Sequence, residues 1–255
     1  MSHPTPVASL QKIHKQLKKL KWFDLQYFQE QINGEKLFSA DFNQADIKGI
    51  FLTALELPHG GFIHPQVFPR VTIPRFNLIA GKRQDPKPFY MERLFFSDDS
   101  GLYFISQGTD AGFQLLEKAL DVLKDEGIGT DRNIGNGFFI WSKDTITLDL
   151  PESQHAMCLG MFLPESEEQL KDMLKDTKAA FDFKKRGGWI TTSPYGKLRK
   201  NSIYMFVEGS IFYINRIESP IVKGRIADLK PQVDFNPLNH SIFRNGKSIF
   251  IPVKT

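Results

Sequence analysis

The chain has 255 residues, 41% of them hydrophobic, and 33 Lys and Arg against 29 Asp and Glu, a formal charge of +4. That length supports one large or two small folded domains, and the mild positive charge permits an anionic partner without demanding one. The single cysteine, Cys158, excludes an internal disulfide and a cysteine zinc cluster. No apolar run approaches the roughly 20 residues that span a bilayer, and the basic N-terminus lacks the apolar segment of a signal peptide. A cytoplasmic protein with no membrane contact is expected.

In chain order, residues 9–21 predict an amphipathic helix with Leu10, Ile13, Leu17 and Leu20 on one face and Lys12, Lys15, Lys18, Lys19 and Lys21 on the other. A second helix is expected over 24–32, capped by Asp24 and stopped by Gly34. Pro58, Pro65, Pro69, Pro74, Pro86 and Pro88 make helix implausible over 57–88 and favour extended strands or a projecting loop. Phe89–Ser97 and Leu102–Gln107 alternate around Asp98-Asp-Ser-Gly101, which predicts a hairpin. Asp110 is placed as the cap of a helix whose Phe113, Leu116, Leu120 and Leu123 share a face. Strands are expected near 138–148 and 156–163, a helix over 165–179 with acids in its first turn, and strands near 181–191, 202–207 and 210–216. From Leu102 the order is β-α-β-β-α-β, the ferredoxin-like arrangement of an α+β fold. Its open sheet face is one that RNA-recognition modules commonly use.

Between the helix after Asp110 and the strand at 138 runs Gly127-Ile-Gly-Thr-Asp-Arg-Asn-Ile-Gly-Asn-Gly137. It is not a Walker A loop, because no Gly-Lys-Ser/Thr closes it. Nor is it a dinucleotide fingerprint: Arg132 occupies the third glycine position, and the order is helix, loop, strand rather than strand, loop, helix. What remains is a run of backbone N–H groups on permissive residues with one Arg and two Asn. That suits an anion-binding concavity against a sugar-phosphate backbone, or else simply a long loop of tight turns.

Over 181–200, Lys184, Lys185, Arg186, Lys197, Arg199 and Lys200 interleave with Phe183, Trp189 and Tyr195. Cations beside aromatics suit phosphate contact with base stacking, or a solvated hairpin whose lysines guard its edge. Arg70, Arg75, Lys82, Arg83, Lys87 and Arg93 form a looser basic group. Signs of catalysis are sparse. His59 and His64 lack a third metal ligand at a recognisable spacing, and His155 with Asp149 and Glu152 is the one place where an acid–base pair could assemble. No cofactor is expected.

Several of these segments resemble one family. The loop Gly127–Gly137 and the following Phe138 are similar to the glycine-rich loop of the repeat-associated mysterious proteins (RAMPs) of CRISPR systems. Within that superfamily the chain resembles the fourth-subunit family of the type III-A (Csm) effector complex. The resemblance also rests on Ser100-Gly-Leu-Tyr-Phe104, Lys185-Arg-Gly-Gly-Trp-Ile190, Lys200-Asn-Ser-Ile-Tyr-Met-Phe-Val-Glu-Gly-Ser210 and Arg244-Asn-Gly-Lys-Ser-Ile-Phe-Ile-Pro-Val253.

It implies a RAMP fold of two ferredoxin-like (RRM-like) units, here a partial unit over 1–97 with helical and proline-rich insertions and a second over 98–255 carrying the glycine loop. It places Met1 near the middle of the first unit, so that the missing strands would lie upstream or come from another chain. It further implies a ribonucleoprotein subunit of antiviral defence without chemistry of its own. Such a subunit grips the 5′ tag of the crRNA and contacts the large polymerase-like subunit and a backbone RAMP subunit. The implied RNA contacts are Gly127, Ile128, Gly129, Thr130, Arg132, Asn133, Gly135, Asn136 and Gly137 of the loop, with Arg70, Arg75, Arg93, Lys185, Arg186 and Trp189. Asp131 stands where the family often has a basic residue, so the grip is expected to lean on Arg132 and backbone donors. A metal-independent RAMP endoribonuclease using His155, and a pure scaffold subunit, are the competing expectations.

Overall fold

The computed structural model describes residues 15–35, 44–59, 61–72, 78–79, 82–83, 86–98, 100–190, 198–214, 221–232 and 238–255. It is an α+β structure of several small sheets. Its strands are β1 (Trp22–Phe23), β2 (Ile47–Lys48), β3 (Phe51–Leu52), β4 (Ile63–Thr72), β5 (Leu78–Ile79), β6 (Lys82–Arg83), β7 (Lys87–Phe96), β8 (His155–Cys158), β9 (Phe183–Arg186), β10 (Ile203–Phe206), β11 (Ile211–Tyr213), β12 (Ile221–Lys223), β13 (Ile226–Asp228), β14 (Phe243–Asn245) and β15 (Ser248–Pro252). The helices are α1 (Leu25–Ile32), α2 (Asp110–Glu126) and α3 (Glu167–Met173). Of the expected helix over 9–21, residues 15–17 are helical and 9–14 lie outside the described residues.

The chain divides into two compact units. One joins residues 1–54 to 147–255 and the other is the continuous segment 55–146. This division does not coincide with segments 1–97 and 98–255.

In the discontinuous unit, an antiparallel sheet of order β11-β8-β15-β12 is buried on both faces. Alternation explains how: Ala156, Cys158, Phe212 and Phe250 face one cluster with Phe162 and Met173, while Met157, Ile211, Ile249 and Ile251 face another with Ile32 and Val253. The first cluster is an aromatic cage in which Phe162 meets Phe250 edge-on, with centroids 4.9 Å apart. α1 closes the second through Phe28 and Ile32. α1 starts as the sequence predicts, with Asp24 Oδ1 accepting from Tyr27 N at 2.9 Å. Tyr27 donates its hydroxyl to Asp46 at 2.6 Å; burial, then that carboxylate, pushes its pKa up to about 12.

The continuous unit contains a ten-residue antiparallel ribbon, β4 with β7, followed by α2 and the glycine loop. The prolines are compatible with strand because Pro65, Pro69 and Pro88 sit at alternate positions of the ladder, where no N–H is needed toward the partner.

Three expectations are corrected. β7 pairs with β4 rather than with Leu102–Gln107, and neither 102–107 nor 138–148 is a strand, so the β-α-β-β-α-β order is not completed among the described residues. Both stretches lack a neighbouring strand: Leu102, Tyr103, Phe104 and Ile105 are exposed, as is Ile140. The helix expected over 165–179 stops at Met173, with Ser166 as its cap. The cap of α2 is Thr109, whose hydroxyl accepts from Gly112 N at 3.2 Å, and Asp110 is the first helical residue.

Candidate nucleic-acid interface

The glycine loop begins where Gly127 ends α2 with φ 78°, its N–H donating to Leu123 O at 2.8 Å. Its base is closed by Ile128 N donating to Gly137 O at 2.9 Å. That closure demands glycine. A Cβ on Gly137 would stand 1.9 Å from Ile128 O, and one on Gly127 would stand 2.8 Å from Asn136 O. The far side of the loop is a 3-10 turn, Arg132–Ile134, in which Ile134 and Asn136 donate their N–H groups to Asp131 O and Gly135 donates to Arg132 O.

These bonds divide the expected site. The N–H groups of Ile128, Ile134, Gly135 and Asn136, and the Asn136 side chain through Nδ2 to Asp131 O, are spent on holding the loop. Gly127, Gly135 and Asn136 thus have their backbone N–H groups spent within the protein, and Gly137 closes the loop through its carbonyl oxygen. Among the described residues, the N–H groups of Gly129, Thr130, Asp131, Arg132 and Asn133 have no protein acceptor. The Arg132 side chain is exposed and forms no ion pair among the described residues.

Asp131 was not among the expected contacts, yet it organises the site. Its Oδ2 lies 3.1 Å from Arg70 Nη2 and 3.6 Å from Arg93 Nη2. Arg93 in turn stacks over the Phe68 ring, 5.3 Å from its centroid. Ladder register explains the convergence, since Gln66, Phe68 and Arg70 on β4 share a face with Phe89, Met91 and Arg93 on β7. The structure thus brings Arg70, Arg93 and the loop together. Arg75 lies outside the described residues.

Lys185, Arg186 and Trp189 belong to the other unit. β9 pairs with β10 so that Lys185 stands opposite Tyr204, with its Nζ 5.9 Å from that ring's centroid. Phe183 meets Tyr204 edge-on at 5.7 Å, and Arg199 stacks on Trp189 at 4.6 Å. Phe183, Tyr204 and Trp189 are each more than half exposed. Arg186 instead turns to the opposite face, its Nε donating to Met161 Sδ at 3.0 Å. Tyr204 is absent from the sequence-based set. The signal that could have found it is its place opposite Lys185 once the hairpin register is drawn.

The expected grouping of His155 with Asp149 and Glu152 is not formed. His155 is buried, with Nε2 3.1 Å from Asp176 Oδ2 and Nδ1 3.4 Å from Thr255 Oγ1. Asp176 is held below the ordinary carboxylate range, first by the Lys178 backbone N–H and also by His155. Burial pushes the Cys158 thiol up to about 11, far from a reactive thiolate. Among the described residues no group of three or more His, Cys, Asp or Glu is placed to hold a metal, and no helix is long and apolar enough to cross a membrane.

Residues 151–253, which hold the two-faced sheet and the β9–β10 platform, match the family described as the CRISPR Csm4 C-terminal domain. Over that segment and beyond it the chain is similar to Csm4 proteins of CRISPR systems. It is 27% identical over 238 residues to the CRISPR system Cms protein Csm4 of Methanocaldococcus jannaschii, covering 81% of this chain and 59% of that protein. The Csm4 proteins of Thermococcus onnurineus and Mycobacterium tuberculosis are 29% and 28% identical over 153 and 178 residues, covering 59% and 68% of this chain and 47% and 54% of those proteins. The chain spans about half the length of the curated relatives it matches.

Proposed function

We propose that this chain is a non-catalytic RNA-binding subunit of a type III-A CRISPR effector complex acting in antiviral defence. In this reading it grips the 5′ tag of the crRNA and docks the large polymerase-like subunit and a backbone RAMP subunit. The observation that carries the reading is the run of unspent N–H groups from Gly129 to Asn133 with the free Arg132 fork among them. Such a run matches the acceptors of a phosphodiester. The exposed rings and cations of the β9–β10 platform fit stacked bases of a single strand. The two-unit, ferredoxin-like RAMP arrangement belongs to the same proposal.

The test compares the tag-bearing crRNA with a scrambled RNA of equal length, bound by the assembled complex at fixed salt. The tag is expected to bind more tightly. Arg132→Ala is expected to weaken it on the order of tenfold, the size of one lost charge-assisted contact. Equal binding of both RNAs overturns tag recognition. Cleavage of repeat RNA in EDTA that disappears in His155→Ala would assign the chain to the endoribonucleases instead.

A further inference from the structure

The bridge Arg70–Asp131–Arg93 is an unusual use of an aspartate. Asp131 is the one non-glycine residue of positive φ among the described residues, at φ 59° and ψ 26°, a conformation that most residues bearing a Cβ avoid and that Asp and Asn adopt more readily. It occupies the cap position of the 3-10 turn, but its side chain caps nothing there and the N–H of Asn133 stays without an acceptor. The carboxylate reaches across instead, and two guanidinium forks from adjacent strands converge on its single oxygen Oδ2. Two arginines about one anionic oxygen, each side chain about a third exposed, is the arrangement that receives a phosphate oxygen.

We propose that Asp131 is an internal stand-in for a phosphodiester: it occupies the Arg70–Arg93 fork until an RNA phosphate displaces it. The fork is thereby partly neutralised and correctly spaced in the absence of RNA, and a weakly held anion does not open it. This rests on the reading of the loop as an RNA site. It adds that Arg70 and Arg93 become phosphate contacts only in the bound state.

The test measures binding of the tag-bearing crRNA to the assembled complex carrying Asp131→Gly, Asp131→Asn, Arg70→Ala with Arg93→Ala, or the arginine pair combined with Asp131→Gly. Glycine suits the positive φ, so Asp131→Gly leaves the backbone where it is. The expected result is tighter binding by Asp131→Gly and Asp131→Asn, on the order of tenfold, and loss of that gain when both arginines are also removed. Unchanged or weaker binding by Asp131→Gly, or a variant that no longer folds, overturns the proposal and makes Asp131 a structural strut. A gain that survives removal of the arginines overturns it equally. Failure of the wild-type complex to bind either RNA is a different outcome: it removes the RNA reading itself before the variants are compared.

Discussion

Gly137 and Asp176 show how single positions fix the loop and the sheet. At Gly137, positive φ and a backbone oxygen 1.9 Å from any Cβ act together, so neither a side-chain shift nor a small backbone adjustment accommodates alanine. Gly137→Ala is expected to destabilise the continuous unit by about 3 kcal/mol, read by urea unfolding. Gly135→Ala meets no atom within 4 Å and carries only the cost of its positive φ, which makes it the control. Asp176 titrates in the other unit. Its folded carboxyl is held low, so its contribution is complete above the unfolded carboxylate value and is lost as pH falls through the folded one. The urea midpoint of Asp176→Asn is therefore expected to lie below wild type at neutral pH and to converge with it in the acid range. A difference that persists at low pH would assign the effect to packing around His155. Neither of these roles shows in the residue type alone. A glycine-rich loop announces freedom of φ but not which glycine is hemmed in, and Asp176 finds His155 across 21 residues through the fold.

At the scale of elements, the β9–β10 platform and the β4–β7 ribbon differ in what the sequence exposes. The capped helix α1 and the strands β9, β10 and β11 were legible because their signals are local: Asp24 at the cap, alternation along each strand, and turn residues between them. The ribbon's partner was not legible. Phe89–Phe96 alternates as well with Leu102–Gln107 as with Ile63–Thr72, and the nearer segment wins any argument from turn residues, yet the observed ladder joins Ile63–Thr72 to Lys87–Phe96. The loop's sequence suits an anion cradle or a run of tight turns, and Asp131 counts there as a deficit of positive charge because its two arginine partners lie on strands whose pairing the sequence does not show. The platform carries its own prediction. Trp189→Ala with Tyr204→Ala removes two stacking faces and no charge, so crRNA affinity of the assembled complex is expected to fall tenfold or more, about the stacking contribution of one base, while the salt dependence keeps its slope. A changed slope with unaltered affinity would mean that the rings merely position Lys185 and Arg199.

Over the whole molecule, the first unit is assembled from two distant stretches and the second from one. The sheet β11-β8-β15-β12 places β15 between β8 and β12, so the residues around 250 lie at its centre and supply Phe250 to one core and Ile251 to the other. Length and composition could not reveal this, because the pairing of β8 with β15 spans some ninety residues with no local signature. It has a consequence for synthesis. The segment 55–146 is continuous and leaves the ribosome about a hundred residues before β15. At the usual pace of elongation that is an interval of roughly 5–20 s. During that interval the glycine loop and the ribbon have every residue they need, whereas α1 waits with its apolar face uncovered until the strand that completes its core is made. The nascent chain thus holds its glycine loop ready before the sheet of the other unit exists, and a holding chaperone would find its target in α1 rather than in the loop.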